Sequence, residues 1–321
     1  MGERRNNLSP SASRWARLLF FVLGCEAKKA EATVKVAVTG ATGLLGQAVV
    51  ETLRAEHQVY PLTRADADIT QFQAVLTLFT KLRPELVIHT AAIRDLDICE
   101  TDPARAFLVN FHGTRHVVEA ARQMGARMAH ISTDAVFDGK KTAPYLESDP
   151  TNPPTVYGRV KWRAEEWVRT LPVFWIFRVS ILFGPGKTNL VEDAIRKVAS
   201  GGEVFAPSDQ IANATYTPDA ARKMIEVIMS GCPGLYHLAN QGACSRIELV
   251  RRGVEWAGLD PSRVKGVRSV DLGRPAVRLK YAVMEMRAMA SAGIALPRPW
   301  QAAMAEYVSM ILTRKSPQRS A

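Results

Sequence analysis

The stretch Thr39-Gly40-Ala41-Thr42-Gly43-Leu44-Leu45-Gly46 constrains this chain more than any other. It follows the apolar run Val34-Lys35-Val36-Ala37-Val38, which reads as a short buried strand. It precedes Gln47-Ala48-Val49-Val50-Glu51-Thr52-Leu53, which reads as a helix with an apolar face. A glycine turn between a strand and a helix can cradle a dinucleotide diphosphate. Gly40 permits a tight turn, Gly43 lets the diphosphate approach the backbone, and Gly46 lets helix and strand pack closely. Thr42, Leu44 and Leu45 complete the loop. The helix start there offers unpaired N–H groups and a positive dipole end to phosphate.

The next strand is expected at His57–Thr63 and ends at Arg64. An acid at this place grips the ribose 2′-hydroxyl of NAD, whereas a base favours the 2′-phosphate of NADP. Arg64 therefore points to NADP, and nearby Asp66 keeps NAD as the alternative. Asp68 and Ile69 stand where an adenine contact is expected. Phe72–Leu82 has helical periodicity. Glu85–Thr90 reads as a strand, with the small Ala91 and Ala92 at its end leaving room for a ligand. Ala104–Met124 reads as one long helix that contains Asn110. Ala126–Ile131 is a further strand, followed by Ser132-Thr133-Asp134. Strands and helices alternating at this spacing predict an α/β fold, a doubly wound parallel sheet of Rossmann type. That part should span residues 34–180, with segment 212–242 returning to it. Residues 181–313 should form a smaller substrate-binding lobe, with the ligand in the crevice between the two.

Tyr157-Gly158-Arg159-Val160-Lys161 opens a helix after Pro150–Pro154. Spacing of four puts Tyr157 and Lys161 on one face. A phenol has an ordinary pKa of about 10, and a neighbouring ammonium is expected to lower it toward use as a general acid. Thr133, at a strand's carboxyl end, supplies a hydroxyl that can orient a carbonyl. Arg178, Lys187, Arg274 and Arg278 are candidates to face a nucleotide diphosphate.

A chain of 321 residues with net charge +11 suits an anionic ligand. No basic run is interleaved with aromatics, so nucleic acid is not an expected partner. No cysteine pair has Cys-x-x-Cys spacing. His112 and His116 are four apart but lack a third ligand nearby, so no metal is expected. Residues 1–33 read as an extension outside the fold. It is a disordered or wrongly assigned start, a targeting segment or a surface anchor, because the apolar run within Trp15–Cys25 is too short to span a bilayer. Residues 314–321 read as a basic tail.

The chain resembles the extended short-chain dehydrogenases/reductases, within the group of dTDP-4-dehydrorhamnose reductases, over roughly Val34–Val308. The resemblance is carried by Thr39–Gly46, Asp97-Ile98-Cys99-Glu100, Asn110-x-x-Gly113-Thr114 and Ser132-Thr133-Asp134-Ala135-Val136-Phe137. Glu147-x-Asp149, Tyr157-x-x-x-Lys161, Phe177-Arg178-x-Ser180, Asp209-Gln210 and Arg274-Pro275 carry it further. It implies NADPH-dependent reduction of a nucleotide-linked 4-keto-6-deoxysugar. Tyr157 would protonate the keto oxygen, and Thr133 would hydrogen-bond it. Lys161 would hold the nicotinamide ribose and tune the phenol, and Asn110 would support Lys161 through the helix, directly or by way of a water. Ser132, Thr133, Arg178 and Arg274 would meet the substrate. A cytoplasmic protein, monomeric or homodimeric, is implied. The same resemblance reaches sugar-nucleotide epimerases and dehydrogenases. It also reaches a non-catalytic NADP-binding regulator, the beta subunit of methionine adenosyltransferase. Ala135 stands where the group commonly has tyrosine, and Ile181 where it commonly has an aromatic; both departures fall on the substrate side.

Overall fold

The computed structural model describes residues 33–315. The readings on residues 1–32, including the apolar run near Trp15–Cys25, and on 316–321 lie outside these residues. Val36, Ala37 and Val38 are fully buried, as a strand covered on both faces requires. They form β1 (Lys35–Thr39). The chain continues through β2 (Gln58–Leu62), β3 (Leu86–His89), β4 (Arg127–Thr133), β5 (Phe174–Val179), β6 (Ile181–Phe183), β7 (Val204–Pro207), β8 (Ile211–Tyr216) and β9 (Gly234–Leu238).

Six of these strands make one parallel sheet in the order β2-β1-β3-β4-β5-β9. The chain leaves β1 for β2 on one side and places β3 on the other. The crevice at the carboxyl edge between β1 and β3 is therefore a topological switch point, where such sheets bind ligands. One face of the sheet packs on the helices Leu44–Leu53 and Thr217–Met229 through Val49, Leu53, Met224 and Val227. The other packs on Phe72–Leu82 and Thr114–Met124 through Val75, Phe79, Val117 and Ala121.

The smaller lobe holds a second sheet. In it β8 pairs with β6, with β10 (Ala243–Ser245) and, after β11 (Val264–Val267), with β12 (Tyr281–Ala282). Its core is aromatic and aliphatic: Phe183, Tyr216, Trp300 and Tyr307 pack with Val191, Ile195 and Leu249. β8, expected at the start of the returning segment, belongs to this second sheet; the helix Thr217–Met229 and β9 are what join the first. Met286, Met289 and Ile294 also pack into the core of the large sheet, a return that the sequence pattern did not show. The last helix runs to Lys315, so the expected basic tail begins inside a helix.

The long helix expected at Ala104–Met124 is broken. Pro103–Ala106 passes into a wider π-helical segment, Phe107–Gly113, before α-helix resumes at Thr114. Within that segment the Asn110 side chain turns outward to bond the Ile93 backbone twice, accepting from its N–H at 2.7 Å and donating to its carbonyl at 2.9 Å.

Candidate functional site

The glycine turn sits where only glycine fits. Gly40 has φ +68, and a Cβ there would lie 2.6 Å from the Ala91 nitrogen. A Cβ on Gly46 would lie 2.3 Å from the Gly40 carbonyl oxygen. Gly43 starts the helix Leu44–Leu53, whose first turn has neither a side-chain cap nor an acid. Its leading amides are left to an outside acceptor. Leu44 and Leu45 are buried, so their contribution to a ligand is the backbone and not the side chain.

A cavity of about 470 Å³ opens on this turn at the switch point. Gly40, Thr42, Gly43, Arg64, Asp68, Ile69, Ala91 and Ala92 line it, together with Ile93, Arg105 and Lys187. Lys187 thus faces this cavity and not a substrate diphosphate. The uncapped amides, the bare glycine floor and a basic rim fit an anionic dinucleotide. Arg64 is paired with Asp68 at 2.8 Å. Asp68 also accepts from the Thr70 N–H and hydroxyl, whose hydrogen bonds hold its carboxyl below the usual range. The Asp66 carboxylate is closed onto the Thr63 N–H and hydroxyl, both at 2.8 Å. Ile69 lends its carbonyl to His116 Nδ1 at 2.9 Å.

A second, smaller cavity of about 90 Å³ lies across the sheet edge. It is lined by Thr133, Asp134, Ala135, Ile181, Gln210, Arg246 and Arg278 among others. Ala135 and Ile181, the two departures noted above, both border it. The Thr133 hydroxyl donates to Asp134 Oδ1 at 3.0 Å, and Ser180 donates to Asp134 Oδ2 at 2.5 Å. Burial raises the Asp134 pKa, opposed by those hydrogen bonds and by the charge of Arg246. Arg246 donates to Gln210 Oε1 at 2.9 Å, and Arg278 forks onto Asp97 at 3.0 and 2.8 Å. Arg274 is exposed, and its charge acts on both Asp97 and Arg246. Asp134, Arg246 and Gln210 were given no role from sequence. Asp134 was signalled by its place beside Thr133, whereas Arg246 begins the helix Arg246–Trp256, far along the chain.

Tyr157 and Lys161 come from the helix Val156–Val168, capped by the Thr155 hydroxyl on the Gly158 N–H. Tyr157 packs on the same small apolar cluster as Ile93, which borders the large cavity, and the charge of Asp134, which borders the small one, acts on its phenol. The phenol therefore has neighbours in the linings of both cavities. The expected lowering of its pKa is corrected. Burial and then the charge of Asp134 push the phenol well above its ordinary value, opposed by the nearby Thr133 hydroxyl. Lys161 is itself pulled down to about 7 by burial, against the charge of Glu165. Asn110 makes no direct bond to Lys161. Its side chain clamps Ile93 and does not reach Lys161, whose Nζ donates to the Ile131 carbonyl at 2.6 Å and lies 3.0 Å from His130 Nε2.

Ser132 and Arg178 do not reach the crevice. They are in register on β4 and β5 and both turn to Glu165, fully buried on the helix behind. Ser132 donates to Glu165 Oε1 at 2.5 Å, and Arg178 forks onto both carboxylate oxygens at 2.9 and 2.7 Å. Adjacent strand residues face opposite ways, so Thr133 can serve the site only if Ser132 serves the core. Among the described residues no group of three His, Cys, Asp or Glu side chains is placed to hold a metal, and no helix is long and apolar enough to cross a membrane.

Comparison with known proteins agrees with this geometry. The chain is 37% identical over 276 residues to the spore coat polysaccharide biosynthesis protein SpsK of Bacillus subtilis, covering 85% of this chain and 96% of that one. It is 37% identical over 277 residues to a dTDP-4-dehydrorhamnose reductase of Streptomyces griseus, covering 84% and 91%. A solved dTDP-4-dehydrorhamnose reductase from Bacillus anthracis, in complex with NADP, superposes with a TM-score of 0.84 at 30% identity, covering 87% and 99%. A UDP-glucose 4-epimerase from Thermus thermophilus shares the fold at 21% identity and a TM-score of 0.78, covering 88% and 100%. The profile of the RmlD substrate binding domain matches residues 34–312, and the chain belongs to that family.

Proposed function

We infer that the protein is an NADPH-dependent reductase of a nucleotide-linked 4-keto-6-deoxysugar. The observation that carries this reading is Tyr157, four residues before Lys161 on one helix, with neighbours in the linings of both the glycine-floored cavity and the arginine-lined one. The names of the relatives at 37% and 30% identity, and the NADP held by one of them, support both the substrate class and the cofactor.

The amides at the start of Leu44–Leu53 would hold the cofactor diphosphate. Arg64 would meet the ribose phosphate, Ala91 and Ala92 would leave room beside the sheet edge, and Lys161 would donate to the nicotinamide ribose. Bound NADPH supplies the hydride. Tyr157 gives its phenolic proton to the keto oxygen as negative charge gathers there. A phenol kept protonated by burial still transfers its proton, because a developing alkoxide is more basic than a phenolate. The Thr133 hydroxyl would turn its proton from Asp134 to the same oxygen and fix its direction. Arg246, Arg278 and Arg274 put positive charge on the substrate side, suited to a nucleotide diphosphate. The same reading sets the enzyme in the cytoplasm, beside its pool of reduced cofactor.

Tyr157→Phe tests the assignment. It is expected to lower kcat by ~10²–10⁴-fold while leaving the NADPH Kd unchanged. Wild-type turnover in this variant would remove Tyr157 from the acid role.

A further inference from the structure

Lys161 has a second side-chain neighbour, and it comes from the sheet. Thr39, His89 and His130 stand in register on β1, β3 and β4, forming a polar row beneath the site. All three are buried. The hydrogen bonds fix the first imidazole's tautomer. Thr114 spends its hydroxyl proton on the Asn110 carbonyl at 2.8 Å, so its oxygen accepts from His89 Nε2 at 3.0 Å. His89 Nδ1 then accepts from the Thr39 hydroxyl at 2.6 Å. His130 stacks on this fixed ring, with centroids 5.4 Å apart and planes 23° from parallel.

Lys161 Nζ lies 3.0 Å from His130 Nε2 and donates to the Ile131 carbonyl at 2.6 Å. An ammonium has only donors, so Nε2 is the acceptor and the ring proton sits on Nδ1. That Nδ1 is buried and has no partner. A ring serving the core alone would be turned or replaced to avoid an unmet donor. The ring instead keeps the unmet N–H inside and presents its lone pair to Lys161.

We propose that His130 is the positioning residue for Lys161: as a neutral acceptor, with the Ile131 carbonyl, it fixes two of the three ammonium N–H groups and leaves the third for the cofactor ribose. This rests on the dinucleotide reading of the large cavity. It gives His130 a supporting role of the kind that the resemblance implied for Asn110. The surrounding charges are consistent with a neutral ring. Burial lowers both imidazole pKa values, His89 to about 3, and the Lys161 charge lowers them further. On its own helix Lys161 has Tyr157 and Glu165, and the latter is already paired with Arg178 from β5.

The test is a double-mutant cycle on the full chain, reading the NADPH Kd by fluorescence titration beside kcat and Tm. His130→Leu should raise the Kd roughly tenfold, the effect of one lost hydrogen bond to a charged group. His130→Gln, which keeps an acceptor, should recover most of that loss. In a Lys161→Met background, His130→Leu should add nothing. If His130→Leu does not fold, His130→Asn replaces it, being polar but too short to reach Nζ. An unchanged Kd in the single variant, or an undiminished effect in the Lys161→Met background, would overturn the proposal. NADPH binding without turnover of any keto sugar would overturn the reductase reading and leave the cycle a valid test of His130.

Discussion

Arg64 is 83% exposed, and its pair with Asp68 at 2.8 Å is worth ~0–1 kcal/mol in so open a setting. A phosphate offers stronger, bidentate acceptance and can displace Asp68 at little cost. Arg64→Ala is therefore expected to weaken NADPH by about 10-fold or more and to leave NADH almost unchanged, as paired Kd measurements would show. Equal losses for both would contradict the phosphate contact. The place of Arg64 on the cavity lining was legible because it follows a strand beside the glycine turn. Asp66 was misleading, since its closure onto Thr63 depends on a turn conformation that composition does not reveal. Ser132 and Arg178 were misread for a related reason. Their positions at strand ends were plain, but the face each presents is fixed by Glu165, reached only through the packed helix. The Tyr157–Lys161 spacing was legible, whereas the desolvation that decides both pKa values was not.

The strand–turn–helix unit Lys35–Leu53 was read from glycine spacing and apolar runs, and it forms with the helix beginning at Leu44, three residues earlier than expected. Its closeness gives a direct prediction. Gly46→Ala would drive a Cβ to 2.3 Å from the Gly40 carbonyl. The helix must then shift, and stability should fall by about 1–3 kcal/mol with weaker NADPH binding. Denaturant unfolding with cofactor titration would check this, and an unchanged midpoint would contradict the packing. The π-helical segment Phe107–Gly113 escaped the sequence, because a 3.6-residue apolar period fits either helix type. Such segments often accompany functional sites. Here it turns Asn110 onto Ile93 and so fixes a wall of the large cavity.

Across the whole molecule, the parallel sheet was readable as buried apolar runs, but the second lobe was not. Its strands β6, β8, β10 and β12 are two to six residues long and pair segments far apart in sequence. The large sheet is tied to its helix layer by the Glu165–Arg178 pair, which is almost fully buried. Glu165→Gln would leave that guanidinium charge uncompensated and should cost ~3–5 kcal/mol of unfolding free energy. Urea unfolding at neutral pH would measure the loss, and a wild-type midpoint would contradict it. The fold sets a dinucleotide cavity and an arginine-lined cavity at one sheet edge with Tyr157 near both linings, and the central claim is that a hydride crosses between them. The most direct test supplies NADPH deuterated at the transferring position together with a dTDP-linked 4-keto-6-deoxysugar. The account predicts stoichiometric cofactor oxidation, with deuterium recovered at C4 of the reduced sugar. A sugar recovered epimerised or unchanged, with no net cofactor oxidation, would contradict it.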